Sequence, residues 1–96
     1  MNLEVNIVYF YPIREITGKA DEKVEVDESA TLEVLLDILS KKYGKEFERF
    51  VYSGVKQKGL RIIFLLDEEN VQNLEGPKTR LRNGCTVTML PPIAGG

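Results

Sequence analysis

Leu3, Val5, Ile7 and Tyr9 alternate with Asn2, Glu4, Asn6 and Val8, the period of two expected of a strand with one face on a core. Pro12 cannot donate to a ladder and ends this strand; Ile13 to Lys19, with Gly18, predicts a connection containing a short helical turn. Alternation resumes over Lys23 to Asp27, a second strand able to pair with the first as a hairpin, and Asp27-Glu28-Ser29 closes it. The period then changes. Leu32, Leu35, Leu36, Leu39 and Tyr43 recur at three- and four-residue intervals behind a capping Thr31, with Glu33 in the first turn where the helix dipole favours an acid. This is the main helix, and Gly44 supplies a left-handed stop. Phe47, Phe50 and Val51 are spaced for a short second helix before a turn at Ser53-Gly54, and Gly59 ends the irregular stretch that follows.

Arg61-Ile62-Ile63-Phe64-Leu65-Leu66 is a continuous apolar run and predicts a strand covered on both faces, followed by a turn at Asp67-Glu68-Glu69-Asn70. Val71 to Leu74 reads as a short edge strand, Gly76-Pro77 as a turn, and Leu81 as a core anchor before the tight turn Arg82-Asn83-Gly84. Cys85, Val87 and Met89 then alternate with Thr86, Thr88 and Leu90 until Pro91-Pro92 stops the last strand. A mixed sheet of four to five strands over one main helix buries every apolar face in this order, so the expectation is a two-layer α+β domain. It divides as one domain over residues 1–90 and an extended tail over 91–96.

With 96 residues, 43% of them hydrophobic, the chain suits one fold unit. Cys85 is the only cysteine, which excludes an intrachain disulfide and fits a reducing, cytoplasmic setting. The 13 basic residues are interspersed among 15 acids, so no stripe exists to track nucleic-acid phosphates. The longest apolar run, Ile62 to Leu66, falls far short of the roughly 20 residues that span a bilayer, and the N-terminus lacks a basic region followed by an apolar block. These features predict no membrane association and no export. The chain has no histidine, no metal-ligand spacing and no phosphate loop; Gly76-Pro77-Lys78-Thr79 matches only a fragment of one.

What remains as candidate chemistry is the tail itself. Pro91 and Pro92 each fix a dihedral and remove a donor, so Pro91-Pro92-Ile93-Ala94-Gly95-Gly96 leaves the sheet extended, with a reach on the order of 20 Å. Gly95 and Gly96 lack a Cβ and can thread a narrow channel. A terminal carboxylate, with a pKa of about 3.5, is ionised and a poor electrophile until it is activated. As a mixed anhydride with AMP it becomes reactive, and a persulfide sulfur would convert it to a thiocarboxylate. Taken alone, a Gly-Gly end is equally the frayed terminus of an ordinary domain.

The ending Leu90-Pro91-Pro92-Ile93-Ala94-Gly95-Gly96, with Leu81, Asn83-Gly84 and the Cys85 to Leu90 strand before it, closely resembles the ubiquitin-like sulfur carriers of the MoaD/ThiS type, and among them the small subunit of molybdopterin synthase. Val8-Tyr9-Phe10, Ile13-Arg14-Glu15-Ile16 with Gly18, and Ala30-Thr31-Leu32 agree with that pattern. The resemblance implies a β-grasp fold and a chain that is not an enzyme on its own. It implies that Gly96 is adenylated by a ubiquitin-activating-type enzyme using ATP and magnesium, with no cofactor on this chain. It further implies a sulfur donor of the cysteine desulfurase or rhodanese type, and a large synthase subunit that receives the tail and uses its sulfur to build molybdopterin. The thiamine-pathway carrier, tRNA thiolation and the ubiquitin-like protein modifiers share the Gly-Gly end, and the Pro-Pro-x-x-Gly-Gly pattern favours the molybdopterin branch.

Residues 45–60, with Phe47, Phe50 and Lys56-Gln57-Lys58, depart from the family pattern as an enlarged connection, and Cys85 stands where an acid is expected. Cys85 shares the parity of Val87 and Met89 and has no cationic cluster to activate it, which predicts a packed structural thiol. Phe10 and Leu90 fall on the parity opposite Tyr9 and Met89, on the outer face of the sheet, where the family resemblance puts the partner surface. Arg14-Glu15, Arg80 and Arg82 read as solvated charge.

Overall fold

A computed structural model describes residues 1–52 and 62–91. The strands are β1 (Asn2–Tyr9), β2 (Asp21–Asp27), β3 (Ile63–Leu66), β4 (Glu69–Asn70) and β5 (Thr86–Leu90), and the helices are α1 (Ile13–Thr17), α2 (Leu32–Tyr43) and α3 (Lys45–Val51). The strands form one mixed sheet in the order β2-β1-β5-β3-β4. β1 and β5 are parallel, and the pairs β1–β2, β3–β5 and β3–β4 are antiparallel. This is the β-grasp arrangement, with the last strand at the centre of the sheet.

The parallel pairing is set before β5 begins. Asn83 Oδ1 accepts the Glu4 N–H at 2.9 Å and the Gly84 N–H donates to the Glu4 carbonyl at 2.8 Å. The Cys85 carbonyl then accepts the Asn6 N–H at 2.9 Å. Gly84 has φ 80°, a conformation that costs glycine nothing and would strain a residue with a Cβ. Val5, Ile7 and Tyr9 from β1, Val87 and Met89 from β5, and Phe64 and Leu66 from β3 form the buried face; Leu32, Leu35, Leu36 and Leu39 of α2 cover it. Thr31 caps α2, its Oγ1 accepting the Val34 N–H at 3.4 Å. Leu81 is buried, and the hydrogen bonds Leu81 N–H to Ala30 and Leu32 N–H to Thr79 pin the start of α2 to the loop before β5.

Four expectations are corrected. The second strand begins at Asp21, two residues earlier than the alternation suggests, so Glu22 joins the ladder opposite Ile7. Gly44 has φ 93° but ψ −169°, outside the left-handed helical well though still at a positive φ that favours glycine. Its N–H ends α2 on Ser40 and its carbonyl accepts the Glu48 N–H, so one residue links two helices without a loop. β3 is not covered on both faces: Phe64 and Leu66 are buried, Ile63 and Leu65 half-buried. The edge strand is Glu69–Asn70, whereas Val71–Asn73 is a turn of 3-10 helix capped by the Asn70 side chain. The turn at Ser53-Gly54, Gly59 and Arg61 lie outside the described residues.

Glu22 is the hub of the open side of this fold. Its carboxylate accepts hydrogen bonds from the hydroxyls of Tyr9 and Tyr43, both at 2.5 Å, and from the ammonium groups of Lys42 at 2.8 Å and Lys19 at 3.2 Å. β1, β2, the end of α2 and the turn before β2 meet on this one side chain, which is only 7% exposed. Burial opposes its ionisation, but hydrogen bonds from Lys42, Tyr43, Tyr9 and Lys19 outweigh that and lower its pKa to about 2. Burial and the contact with Glu22 hold the Tyr9 phenol well above its ordinary range.

Because the folded pKa lies below the ordinary 4.5, the unfolded chain takes up the proton first, so the contribution of Glu22 is full above pH 4.5 and is lost as pH falls toward 2. Glu22→Gln is expected to cost on the order of 2 kcal/mol at neutral pH and much less near pH 3. Urea unfolding of both forms across that range checks this. Asp27, lowered by its hydrogen bonds to Ser29, is common to both forms and cancels. A gap between the two forms that does not narrow on acidification would contradict the assignment.

Candidate functional site

The tail leaves from the end of the central strand. Met89 at that end is buried, pairs with Tyr9 on one side and Phe64 on the other, and accepts the Phe10 N–H on its carbonyl at 3.2 Å. Pro91, exposed, is the first residue beyond the ladder. Pro92, Ile93, Ala94, Gly95 and Gly96 lie outside the described residues. The geometry therefore concerns the root of the arm and the surface around it.

That surface follows from alternation. Each residue that turns away from α2 on β1, β5 and β3 emerges on the outer face, where Val8, Thr88 and Leu65 are aligned by the ladders. One step nearer the tail come Phe10, Leu90 and Ile63, with Ile63 paired to Leu90. Phe10 is 46% exposed, and Leu90 and Ile63 are half-buried. Tyr11, beside Phe10, is 66% exposed. An apolar row across three adjacent strands at the end of β5 has the composition of an interface core rather than of scattered surface residues. Phe10 and Leu90 were identifiable from parity alone. Tyr11, Ile63 and Leu65 were not, the last two because a continuous apolar run does not distinguish a doubly buried strand from one with an open apolar face.

The remaining candidates are structural. Cys85 is 4% exposed, and burial pushes its thiol up, away from the thiolate a sulfur relay needs. Arg82 pairs with Asp67 at 2.8 Å, and that carboxylate also accepts the Thr86 N–H, so this pair braces the start of β5 at the end of the sheet opposite the tail. Arg14, Glu15 and Arg80 are exposed. Among the described residues no group of His, Cys, Asp and Glu could hold a metal, and no helix is long and apolar enough to cross a membrane.

Comparison with known proteins supplies the context. A family model described as the ThiS family matches residues 7–96. The chain is 29% identical over 94 residues to small archaeal modifier protein 3 of Haloferax volcanii, covering 98% of this chain and 100% of that protein. It superimposes with a TM-score of 0.80 and 25% identity on small archaeal modifier protein 1 from Methanosarcina acetivorans, covering 100% of this chain and 99% of that one. A further Haloferax volcanii protein, solved in solution, gives a TM-score of 0.82 and 26% identity over 99% of this chain and 88% of that one.

If the outer row is displayed for a partner while Met89 holds the root, truncations at the two should differ. Phe10→Ala is expected to change stability by less than about 1 kcal/mol, and Met89→Ala to cost about 2–4 kcal/mol. Urea unfolding measures both, and equal losses would place Phe10 in the core.

Proposed function

We propose that this chain, which belongs to the ThiS family, offers its own C-terminal carboxylate as the reacting group of a sulfur carrier. The observation that carries the reading is the end of β5: a strand bonded on both sides stops at Leu90, and a Pro-Pro-Ile-Ala-Gly-Gly arm begins beside an open apolar row. The sheet fixes β5 up to Leu90; Pro91 and Pro92 restrict their own backbone dihedrals, and two glycines without a Cβ would let the end of the chain enter a channel. The sequence has no histidine, metal-ligand spacing or phosphate loop for activation, so in this reading a ubiquitin-activating-type partner does the chemistry. With ATP and magnesium it converts Gly96 to an acyl adenylate; a persulfide delivered by a cysteine desulfurase or rhodanese-type donor displaces AMP, and reductive cleavage of the resulting S–S bond by a thiol leaves the thiocarboxylate.

The acceptor in this reading is the large subunit of molybdopterin synthase, into which the arm inserts while Phe10, Leu90 and Ile63 pack on its surface. The small subunit contributes the sulfur and no catalytic group of its own. The Pro91-Pro92-Ile93-Ala94-Gly95-Gly96 pattern supports this branch. A second reading is attachment of Gly96 to lysines of other proteins, favoured by the 29% identity to a small archaeal modifier protein over nearly the whole chain. Both readings use the same activated carboxylate and differ in the nucleophile that takes it.

Incubation with the activating enzyme, ATP and a sulfur donor is expected to replace one oxygen of the chain by sulfur, as read by intact mass. An active enzyme that leaves the mass unchanged would remove the sulfur-carrier reading. Gly-Gly remnants on lysines of other proteins, lost when Gly96 is deleted, would establish the modifier reading. Leu90→Asp is expected to weaken binding to the large subunit about tenfold or more without unfolding the chain. Unchanged affinity would exclude the row from that interface.

A further inference from the structure

A strand at the edge of a sheet presents main-chain donors and acceptors to any extended backbone that reaches them. β2 is such an edge: among the described residues it pairs with β1 alone. Alternation decides which of its groups remain open. The Tyr9 N–H donates to the Ala20 carbonyl at 2.8 Å and the Glu28 N–H to the Met1 carbonyl at 3.2 Å, so the even-numbered residues on this side bond to β1. The N–H and C=O groups of Lys23 and Glu25 and the Asp27 N–H therefore face away from the sheet. The Asp27 carbonyl is already taken by the Ala30 N–H at 2.9 Å.

α2 makes this edge one side of a groove. The helix runs antiparallel to β2: its start follows the end of the strand through Ala30, and Lys42 in its last turn reaches Glu22 near the beginning of the strand. Four helical residues and two strand residues advance by nearly the same distance, about 6 Å. Ile38, one turn before Lys42, thus falls level with Val24, and Val34 with Val26. Ile38 is 38% and Val34 42% exposed, on a helix whose leucines are all buried, and Val24 on the inner face of the strand is half-buried.

The outer side of the same edge carries charge. Asp21, Lys23, Glu25 and Asp27 emerge there, three acids to one base, all exposed. Glu25 stands directly opposite Glu4 of β1 in a non-hydrogen-bonded pair, the closer of the two ladder spacings. Neither carboxylate has an ion pair among the described residues. Like charges held face to face across a ladder are destabilising, and a cation added on the open side of Glu25 relieves them. A second copy of this chain would bring the same three acids to the edge.

We propose that the β2 edge and the Val34 and Ile38 flank of α2 form a docking site for an extended segment of another protein, which joins the sheet as an added strand with apolar residues toward α2 alternating with basic residues toward Glu25 and Asp27. The main chain supplies the pairing, the groove takes the apolar side chains and the acids select the charge. The contact from Lys42 to Glu22 closes the groove at one end, so the added strand pairs along Lys23 to Asp27. That stretch lies opposite Asn2 to Asn6, away from Phe10, Leu90 and Ile63, and leaves their row open.

The probe is a short capped peptide of alternating lysine and valine, as long as the strand, added to the isotope-labelled full chain; a peptide of alternating glutamate and valine is its counterpart. Amide hydrogen exchange read by NMR is expected to slow at Lys23 and Glu25, whose N–H groups face the added strand, and to stay unchanged at Val24 and Val26, already bonded to β1. The acidic peptide is expected to bind about fivefold more weakly or less, the size of a cross-strand charge pair. Ile38→Asp is expected to weaken binding of the basic peptide about tenfold. Lys23→Pro, which removes an outward donor and no bond to β1, is expected to do the same. If a variant does not fold, the exchange pattern of the wild-type chain decides. No slowing at Lys23 and Glu25, equal slowing at Val24 and Val26, or equal affinity for the two peptides would overturn the proposal. So would protection of Lys23 and Glu25 that rises with protein concentration alone, the sign of a second copy on this edge.

Discussion

The parallel pairing of the first and last strands is the constraint on which the rest of this molecule depends. β5 lies in the middle of the sheet, between β1 and β3, so its backbone is bonded on both sides and its inward side chains, Val87 and Met89, are sealed under α2. A parallel pair cannot be closed by a hairpin. Here the register comes from the Asn83-Gly84 turn gripping Glu4, a contact across 79 positions of sequence. Once that contact exists, the position at which β5 ends, at Leu90, is fixed.

The same alternation that buries Met89 turns Leu90 outward, so the core and the outer apolar row are two consequences of one pleat. Phe10, Leu90 and Ile63 share a row because β1, β5 and β3 are neighbours, whatever their order in the chain. Glu22 holds the open side in a comparable way. Two tyrosines, two lysines and one nearly buried carboxylate draw the end of α2 onto the β1–β2 edge, where few apolar contacts would otherwise do so.

Much of this was legible in the chain because half-buried strands and amphipathic helices write their period into the sequence. Leu3 to Tyr9, Leu32 to Tyr43 and Cys85 to Leu90 have one wet face and one dry face, and their elements match expectation. The misread segments lack that contrast. Val71 to Leu74 has apolar residues at its two ends only, and just Glu69 and Asn70 find ladder partners; Val71–Asn73 forms a 3-10 turn capped by the Asn70 side chain. The Glu22 cluster was invisible because its members are drawn from three elements and an intervening turn, and a lone glutamate before an alternating run reads as solvated. Of the surface around the end of β5, Phe10 and Leu90 were legible from parity, while Pro92 to Gly96 lie outside the described residues.

On this account the globular body and the reacting atom are separable: the body folds and docks, and Gly96 alone is transformed. The most direct measurement is ATP–pyrophosphate exchange by the activating enzyme, with the full chain and with a chain ending at Gly95, both checked for native unfolding behaviour. The account expects exchange with the full chain and essentially none with the shortened one. Equal exchange from the two would show that the C-terminal glycine is not the group being activated, and would contradict the central claim.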